Sequence, residues 1–166
     1  MRLFIIAGEA SGDLHGAALM QAILELDSKT QFQYWGGDEM QKVQGYPQKH
    51  IRDLAFMGFA EVIKHLPTIM NNFKQVKEHI TDFQPDALIL IDYPGFNIRM
   101  AKWAHQKGIK VIYYISPQLW AWKESRVKAI RQYVDQMLVI LPFEKSFYAK
   151  HNIDEIGRAH VWTPVT

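Results

Sequence analysis

The chain has 166 residues, 48% of them hydrophobic and 22% charged, a balance that suits one globular domain with a substantial core and excludes a disordered chain. A formal net charge of +2, without a cluster of Lys and Arg, argues against nucleic acid as a partner. The lack of cysteine excludes a disulfide scaffold, thiolate metal sites and a Cys nucleophile, and fits a reducing compartment. No stretch reaches the roughly 18 uninterrupted apolar residues of a membrane span, and the run Leu3–Ala7 is too short for a secretory signal, so membrane contact is expected only at a surface.

Taken in order, Leu3–Ala7 is an apolar run without alternation, as in a central parallel strand. The turn Gly8–Asp13 follows, and then a helical pattern from Leu14 to Leu26, with Ser11 or Asp13 available to cap it. Phe32–Trp35 predicts a second strand ending at Gly36-Gly37, Asp38–Gln44 a short helix and His50–Leu54 a weak third strand. Phe59–Phe83 is helical, interrupted near Pro67, and Gln84-Pro85-Asp86 stops it ahead of the strand Ala87–Ile91. The remaining pattern is a helix over Asn97–Gln106, a strand over Lys110–Ile115, a loop through Trp120 and Trp122, a basic helix over Lys123–Tyr133, a strand over Met137–Leu141 and a helix opening at Pro142 and reaching about His151.

Strands alternating with helices predict right-handed crossovers and an α/β, Rossmann-like doubly wound parallel sheet of order 3-2-1-4-5-6. In that order the turns Gly8–Asp13 and Asp92–Asn97 are expected to flank one crevice at the carboxyl ends of the strands. The stretch Ile89-Leu90-Ile91-Asp92 delivers a carboxylate to a strand tip, where it can take a proton from a substrate hydroxyl or serve as a turn residue ahead of Pro94. Gly8 and Gly12 permit close approach of a phosphate or sugar, or merely belong to a well-capped helix start; the turn is neither a G-x-G-x-x-G fingerprint nor a P-loop. The seven histidines contain no H-E-x-x-H and no i, i+4 pair, so no metal site is expected. Lys123, Arg126, Lys128 and Arg131 form a solvated helix face or a phosphate contact, and Trp120 and Trp122 are packing or binding aromatics. Phe59, Val62, Ile63, Leu66, Ile69, Met70 and Phe73 make an apolar stripe, which fits a core helix or an interfacial one resting on an anionic membrane.

Five segments in register resemble the lipid-A-disaccharide synthase family: Gly8-Glu9-Ala10-Ser11-Gly12-Asp13, Met57-Gly58-Phe59-Ala60-Glu61-Val62, Ile91-Asp92-Tyr93-Pro94-Gly95-Phe96-Asn97, Tyr114-Ile115-Ser116-Pro117-Gln118-Leu119-Trp120-Ala121-Trp122 and Leu141-Pro142-Phe143-Glu144-Lys145. The resemblance covers about Leu3 to Ile153 and implies the N-terminal, acceptor-side domain of an inverting GT-B glycosyltransferase that uses neither cofactor nor metal. It implies a UDP-2,3-diacylglucosamine donor, a 2,3-diacylglucosamine 1-phosphate acceptor and the products UDP and a β-1,6-linked disaccharide. Asp92 matches the proposed general base, and Gly8, Ser11, Gly12, Asn97, Ser116 and Gln118 become sugar or phosphate contacts. Phe59, Val62, Ile63, Leu66, Ile69 and Met70 match a membrane-facing surface, placing the enzyme in the cytoplasm, peripheral on the inner face of the inner membrane. A homodimer is compatible with the full-length protein.

The resemblance stops where the family continues with a Gly-His-Pro segment and a nucleotide-sugar domain. The twelve residues Glu155–Thr166 instead read like the translation of a sequencing-library adapter, with Trp162 where a stop codon falls, and are expected to lie outside the domain. Two other functions fit the residues: a non-catalytic α/β module that binds a nucleotide or partner, and another GT-B enzyme such as a nucleotide-sugar epimerase.

Overall fold

The computed structural model describes residues 1–54, 66–116 and 124–153, together with the backbone of 156–158. It contains two compact units, Met1–Ala87 and Leu88–Thr166.

In the first unit β1 (Arg2–Ala7) pairs in parallel with β2 (Gln31–Gly36), and β2 with β3 (Lys49–His50), in the order β3-β2-β1. The register sets Leu3 against Phe32 and Ile5 against Tyr34. Because Leu3 to Ala7 are all buried, the strand reads as a continuous apolar run, each large side chain contributing about 1.5–3 kcal/mol on removal from water. Helix α1 (Ala10–Leu26) buries Ala17 and Met20, and α3 (Leu66–Phe83) buries Val76, Ile80 and Phe83, the last with its ring centroid 6.3 Å from that of Phe4.

Three expectations need correction here. Helix α1 starts at Ala10, so Ser11, Gly12 and Asp13 belong to its first turn and the connecting turn is only Gly8-Glu9. Asp13 does not cap its own helix: the N-cap is Glu9, without a side-chain bond, while Asp13 reaches α2 (Asp38–Val43). The third strand is two residues long, and Ile51–Leu54 is a 3₁₀ turn. The cause is local: the His50 ring accepts the Arg52 N–H at 3.1 Å, and the Arg52 guanidinium holds both oxygens of Asp38 at 2.8 and 2.9 Å, which bends the backbone out of an extended course. Pro67 lies on α3, and the part of the expected Phe59–Phe83 helix that precedes Leu66 lies outside the described residues. Phe59, Val62 and Ile63 lie outside the described residues, as do Trp120 and Trp122.

The second unit alternates β4 (Ala87–Ile91), α4 (Pro94–Gln106), β5 (Lys110–Tyr114), α5 (Glu124–Tyr133), β6 (Gln136–Val139), α6 (Pro142–Ala149) and β7 (Ile156–Arg158). Its strand order is β4-β5-β6-β7, with β5, β6 and β7 parallel. The strand β7 lies in the segment that begins at Glu155. Helix α4 starts at Pro94, three residues before the expected Asn97, because the fixed φ of proline suits the first helical position. Helix α6 is capped by its own Glu144, whose carboxylate accepts the Leu141 N–H at 2.8 Å. The whole is α/β and Rossmann-like, with parallel strands and intervening helices.

Candidate active site

The end of β4 departs from regular backbone in a specific way. Asp92 and Tyr93 both have left-handed backbone, with φ of 45° and 50°. Two successive non-glycine residues in that region cost roughly 1–3 kcal/mol each, and persist only where neighbours over-determine them. The neighbours are visible. Asn97, fully buried, donates from Nδ2 to the carbonyl of Asp92 at 2.9 Å and to that of Ile91 at 3.2 Å. Tyr113, also fully buried, donates its hydroxyl to the same Asp92 carbonyl at 2.6 Å. The Asp92 N–H in turn reaches the Tyr114 carbonyl at 3.3 Å, and the Tyr93 carbonyl accepts the Asn97 N–H at 2.9 Å. Tyr93 is itself buried, its ring centroid 5.5 Å from that of Phe96.

Burial first, and then the negative charge of Asp92, push the Tyr113 phenol well above its ordinary range, so it remains an O–H donor at any physiological pH. The Asp92 carboxylate is half-buried at the tip of the strand while its backbone is clamped from two sides. The Asn97 Oδ1 is buried and has no hydrogen-bond partner among the described residues. A buried amide oxygen left in that state costs about 1–3 kcal/mol.

At the end of β5 a further residue, Ile115, has φ of 64°, an outlier for a β-branched side chain. It precedes Ser116, which is buried with its Oγ hydrogen-bonded to the Tyr148 hydroxyl. Tyr148 is pushed up to about 12, chiefly by burial, with the Ser116 bond opposing and the nearby Glu144 charge adding to the shift. Glu144 itself is buried and occupied with its helix cap. Ser116 is therefore already engaged, and Gln118 lies outside the described residues.

In the first unit, Gly8 is half-buried, Ser11 is exposed and Gly12 is buried on α1. Asp13, 3% exposed, accepts the N–H groups of Gly37 at 2.7 Å, Glu39 at 2.9 Å and Met40 at 3.1 Å. These are the orphan donors that open α2, so this carboxylate is a cap supplied from a distant turn. Tyr34 beside it is pushed up to about 12, mainly by burial and secondarily by the Asp13 charge. Of the membrane-facing set, Ile69 is half-buried and Met70 is 65% exposed on α3.

Tyr113 and Tyr148 were not singled out by the sequence pattern, although two tyrosines at the carboxyl end of an otherwise apolar strand, Tyr113 and Tyr114, carry a signal. Phenols there need partners, and partners at a strand tip belong to a site.

A family model described as LpxB, lipid-A-disaccharide synthetase, matches residues 3–156. The chain belongs to this family. Relatives named lipid-A-disaccharide synthase include those of Trichlorobacter lovleyi, 46% identical over 152 residues covering 92% of this chain and 40% of the relative, and Acidobacterium capsulatum, 42% identical over 163 residues covering 98% and 41%. The synthase of Coxiella burnetii is 40% identical over 151 residues, covering 91% of this chain and 40% of its own. The chain thus spans about two fifths of the length of the curated synthases it matches. Among solved structures, a UDP-GlcNAc 2-epimerase from Neisseria meningitidis bound to UDP-GlcNAc superposes with a TM-score of 0.67 at 11% identity, covering 95% of this chain and 45% of that one. A putative UDP-N-acetylglucosamine 2-epimerase from Listeria monocytogenes gives 0.67 at 12%, covering 94% and 44%. At such identities the likeness concerns the fold, which is of the GT-B type. The synthase family is carried by the sequence match.

Proposed function

We propose that this chain is the acceptor-side half of a glycosyltransferase of lipid A biosynthesis, which moves 2,3-diacylglucosamine from its UDP derivative to 2,3-diacylglucosamine 1-phosphate. The products are lipid A disaccharide 1-phosphate and UDP. Supporting this is the clamped left-handed turn at Asp92-Tyr93, held by Asn97 and Tyr113 at a strand tip. In this mechanism the Asp92 carboxylate takes the proton of the acceptor's 6-hydroxyl as that oxygen attacks the donor's anomeric carbon. The bond from that carbon to the UDP oxygen breaks, its electron pair leaves on UDP, and the configuration inverts. Asn97 holds the turn that carries Asp92, and Gly8, Ser11 and Gly12 in the first unit and Gln118 in the second are candidate sugar or phosphate contacts. Donor binding belongs to the part of the synthases that this chain does not span.

Both substrates carry acyl chains, so the enzyme must work at a bilayer surface. The stripe Phe59, Val62, Ile63, Leu66, Ile69 and Met70 serves that contact in this proposal, and the exposed Met70 thioether supports it. The working enzyme is then peripheral on the inner face of the inner membrane and can be a homodimer.

The test grafts the chain through Ile153 onto a homologous second domain and compares the graft with its Asp92→Asn variant. Asn occupies left-handed backbone as readily as Asp, so the turn is kept while the base is removed. A fall in kcat of roughly 10²–10⁴ is expected. Turnover retained in the Asn variant removes Asp92 from the mechanism. Without the graft, the chain alone is expected to show negligible glycosyl transfer.

A further inference from the structure

Within the second unit, the carboxyl end of β5 is tied down at two points. The Ile115 N–H donates to the Leu138 carbonyl of β6 at 3.0 Å, and the Ser116 Oγ is hydrogen-bonded to the Tyr148 hydroxyl. Between these ties Ile115 takes its left-handed backbone, which a β-branched residue adopts only where its surroundings fix it. Both members of the side-chain pair are buried, Ser116 at 4% and Tyr148 at 1% exposure, so bulk water does not replace a lost partner.

Tyr148 is a rigid post for that pair. It lies near the end of α6, whose start is capped by Glu144 and whose end is closed by the Tyr148 carbonyl, which accepts the N–H groups of His151 at 2.9 Å and Ile153 at 3.2 Å. Its ring stands edge-on to that of Phe147, with centroids 5.3 Å apart. Burial keeps the phenol protonated, so the hydroxyl is present at any physiological pH. Pinned in this way, the turn after β5 fixes the residue just before it, Tyr114, whose carbonyl accepts the Asp92 N–H at 3.3 Å. The Asp92 backbone is thus held at both of its polar groups, the carbonyl by Asn97 and Tyr113 and the N–H by Tyr114.

We propose that Tyr148 is a positioning residue for the reaction: through Ser116 it sets the end of β5, and through the Tyr114 carbonyl it sets the backbone that aims the Asp92 carboxylate. This role rests on Asp92 as the base proposed above. It makes Ser116 a support of the turn rather than a sugar or phosphate contact.

Tyr148→Phe keeps the ring and deletes the oxygen. In the grafted enzyme it is expected to lower kcat about tenfold with KM within about twofold, since a displaced base loses rate while the substrate contacts stay. Ser116→Ala is expected to do the same, and the double variant no more than either single one, because all three break the same link. In the full chain, amide hydrogen exchange reads the link without turnover. The Asp92 N–H is expected to exchange about tenfold faster in Tyr148→Phe, while the Val111 N–H, held by the Asp135 carboxylate near the other end of β5, keeps its rate. An unchanged kcat, a loss carried by KM, multiplied losses in the double variant, or an Asp92 N–H that keeps its rate or speeds up only together with Val111 overturns the role of Tyr148. Asp92→Asn separates this from the reading beneath it. Turnover retained in Asp92→Asn removes the base itself, whereas an inactive Asp92→Asn beside a fully active Tyr148→Phe removes only the positioning role.

Discussion

The first turn of α1 and the turn that follows β4 each carry an aspartate, and they use it in opposite ways. After β1, Asp13 is buried and spends both carboxylate oxygens on three backbone N–H groups at the start of α2. After β4, it is the Asp92 carbonyl that is clamped, by a buried amide and a buried phenol, while the residue sits in left-handed backbone. One carboxylate closes a helix, and the other is carried on a backbone that its neighbours have fixed. The proposed mechanism uses the second arrangement, in which the backbone that carries the aspartate is fixed by groups other than its own carboxylate.

The contrast is broken most severely at Asp13. Replacing it with Ala leaves three donors at the head of α2, two of them buried, without their acceptor and is expected to cost about 3 kcal/mol in denaturant unfolding. Asp92→Asn should stay within about 0.5 kcal/mol in the same experiment, since Asn favours the same backbone. Equal losses at the two positions would show that both turns are merely structural. The glycines follow the same division. A Cβ on Gly37 would stand 2.6 Å from Asp13 Oδ2 and 2.8 Å from the Ile51 Cδ1 atom, so Gly37→Ala is expected to cost about 1–3 kcal/mol by overpacking. Gly95 has nothing within 4 Å of its Cβ position and lies in the first turn of α4, so Gly95→Ala is expected to add about 0.5–1 kcal/mol.

What the sequence makes legible here is what depends on near neighbours. The strand Ala87–Ile91 agrees residue for residue, because a five-residue apolar run between Pro85-Asp86 and Asp92 has no competing period. Asp92 was marked for the same reason, as a charge ending an apolar run. The role of Asp13 was missed because its partners are 24 to 27 residues away, and local spacing suggested its own helix instead. Tyr113 was passed over because a tyrosine in a strand looks like core until its hydroxyl is seen to meet a carbonyl 21 residues distant. The third strand was overextended because the Asp38–Arg52 pair, which bends Ile51–Leu54, is invisible to a pattern of hydropathy.

A smaller perturbation tests the clamp itself. Tyr113→Phe removes one hydrogen bond and adds no bulk, so it should cost about 1 kcal/mol in stability. In the grafted enzyme the proposed mechanism predicts a lower kcat with KM within about twofold, because the change moves Asp92 without touching the bound substrate. A matched change in both would assign Tyr113 to substrate binding instead.

The mildest test uses pH, since the two units are held by groups that titrate differently. Tyr113 and Tyr148 are raised away from neutrality by burial, and Asn97 does not titrate, so the hydrogen bonds that Tyr113 and Asn97 give the Asp92 carbonyl should hold between pH 5 and 8. In the first unit burial lowers His79 below its ordinary 6.5, with Lys49 adding to that and Glu78 and Asp82 opposing. The unfolded chain then binds the proton more readily than the folded one, so this contribution to stability is intact above pH 6.5 and is lost as pH falls through 6.5 toward the depressed folded value. Protonation of Nδ1 also sets two N–H donors, that of the Trp35 indole and that of the imidazolium, against each other. On acidification the Trp35 indole resonance should therefore broaden or shift while the Asn97 side-chain amide signals hold, and His79→Gln should abolish the difference. Simultaneous loss of both signals would mean that the Asn97 clamp is not insensitive to protonation, contrary to its neutral partners.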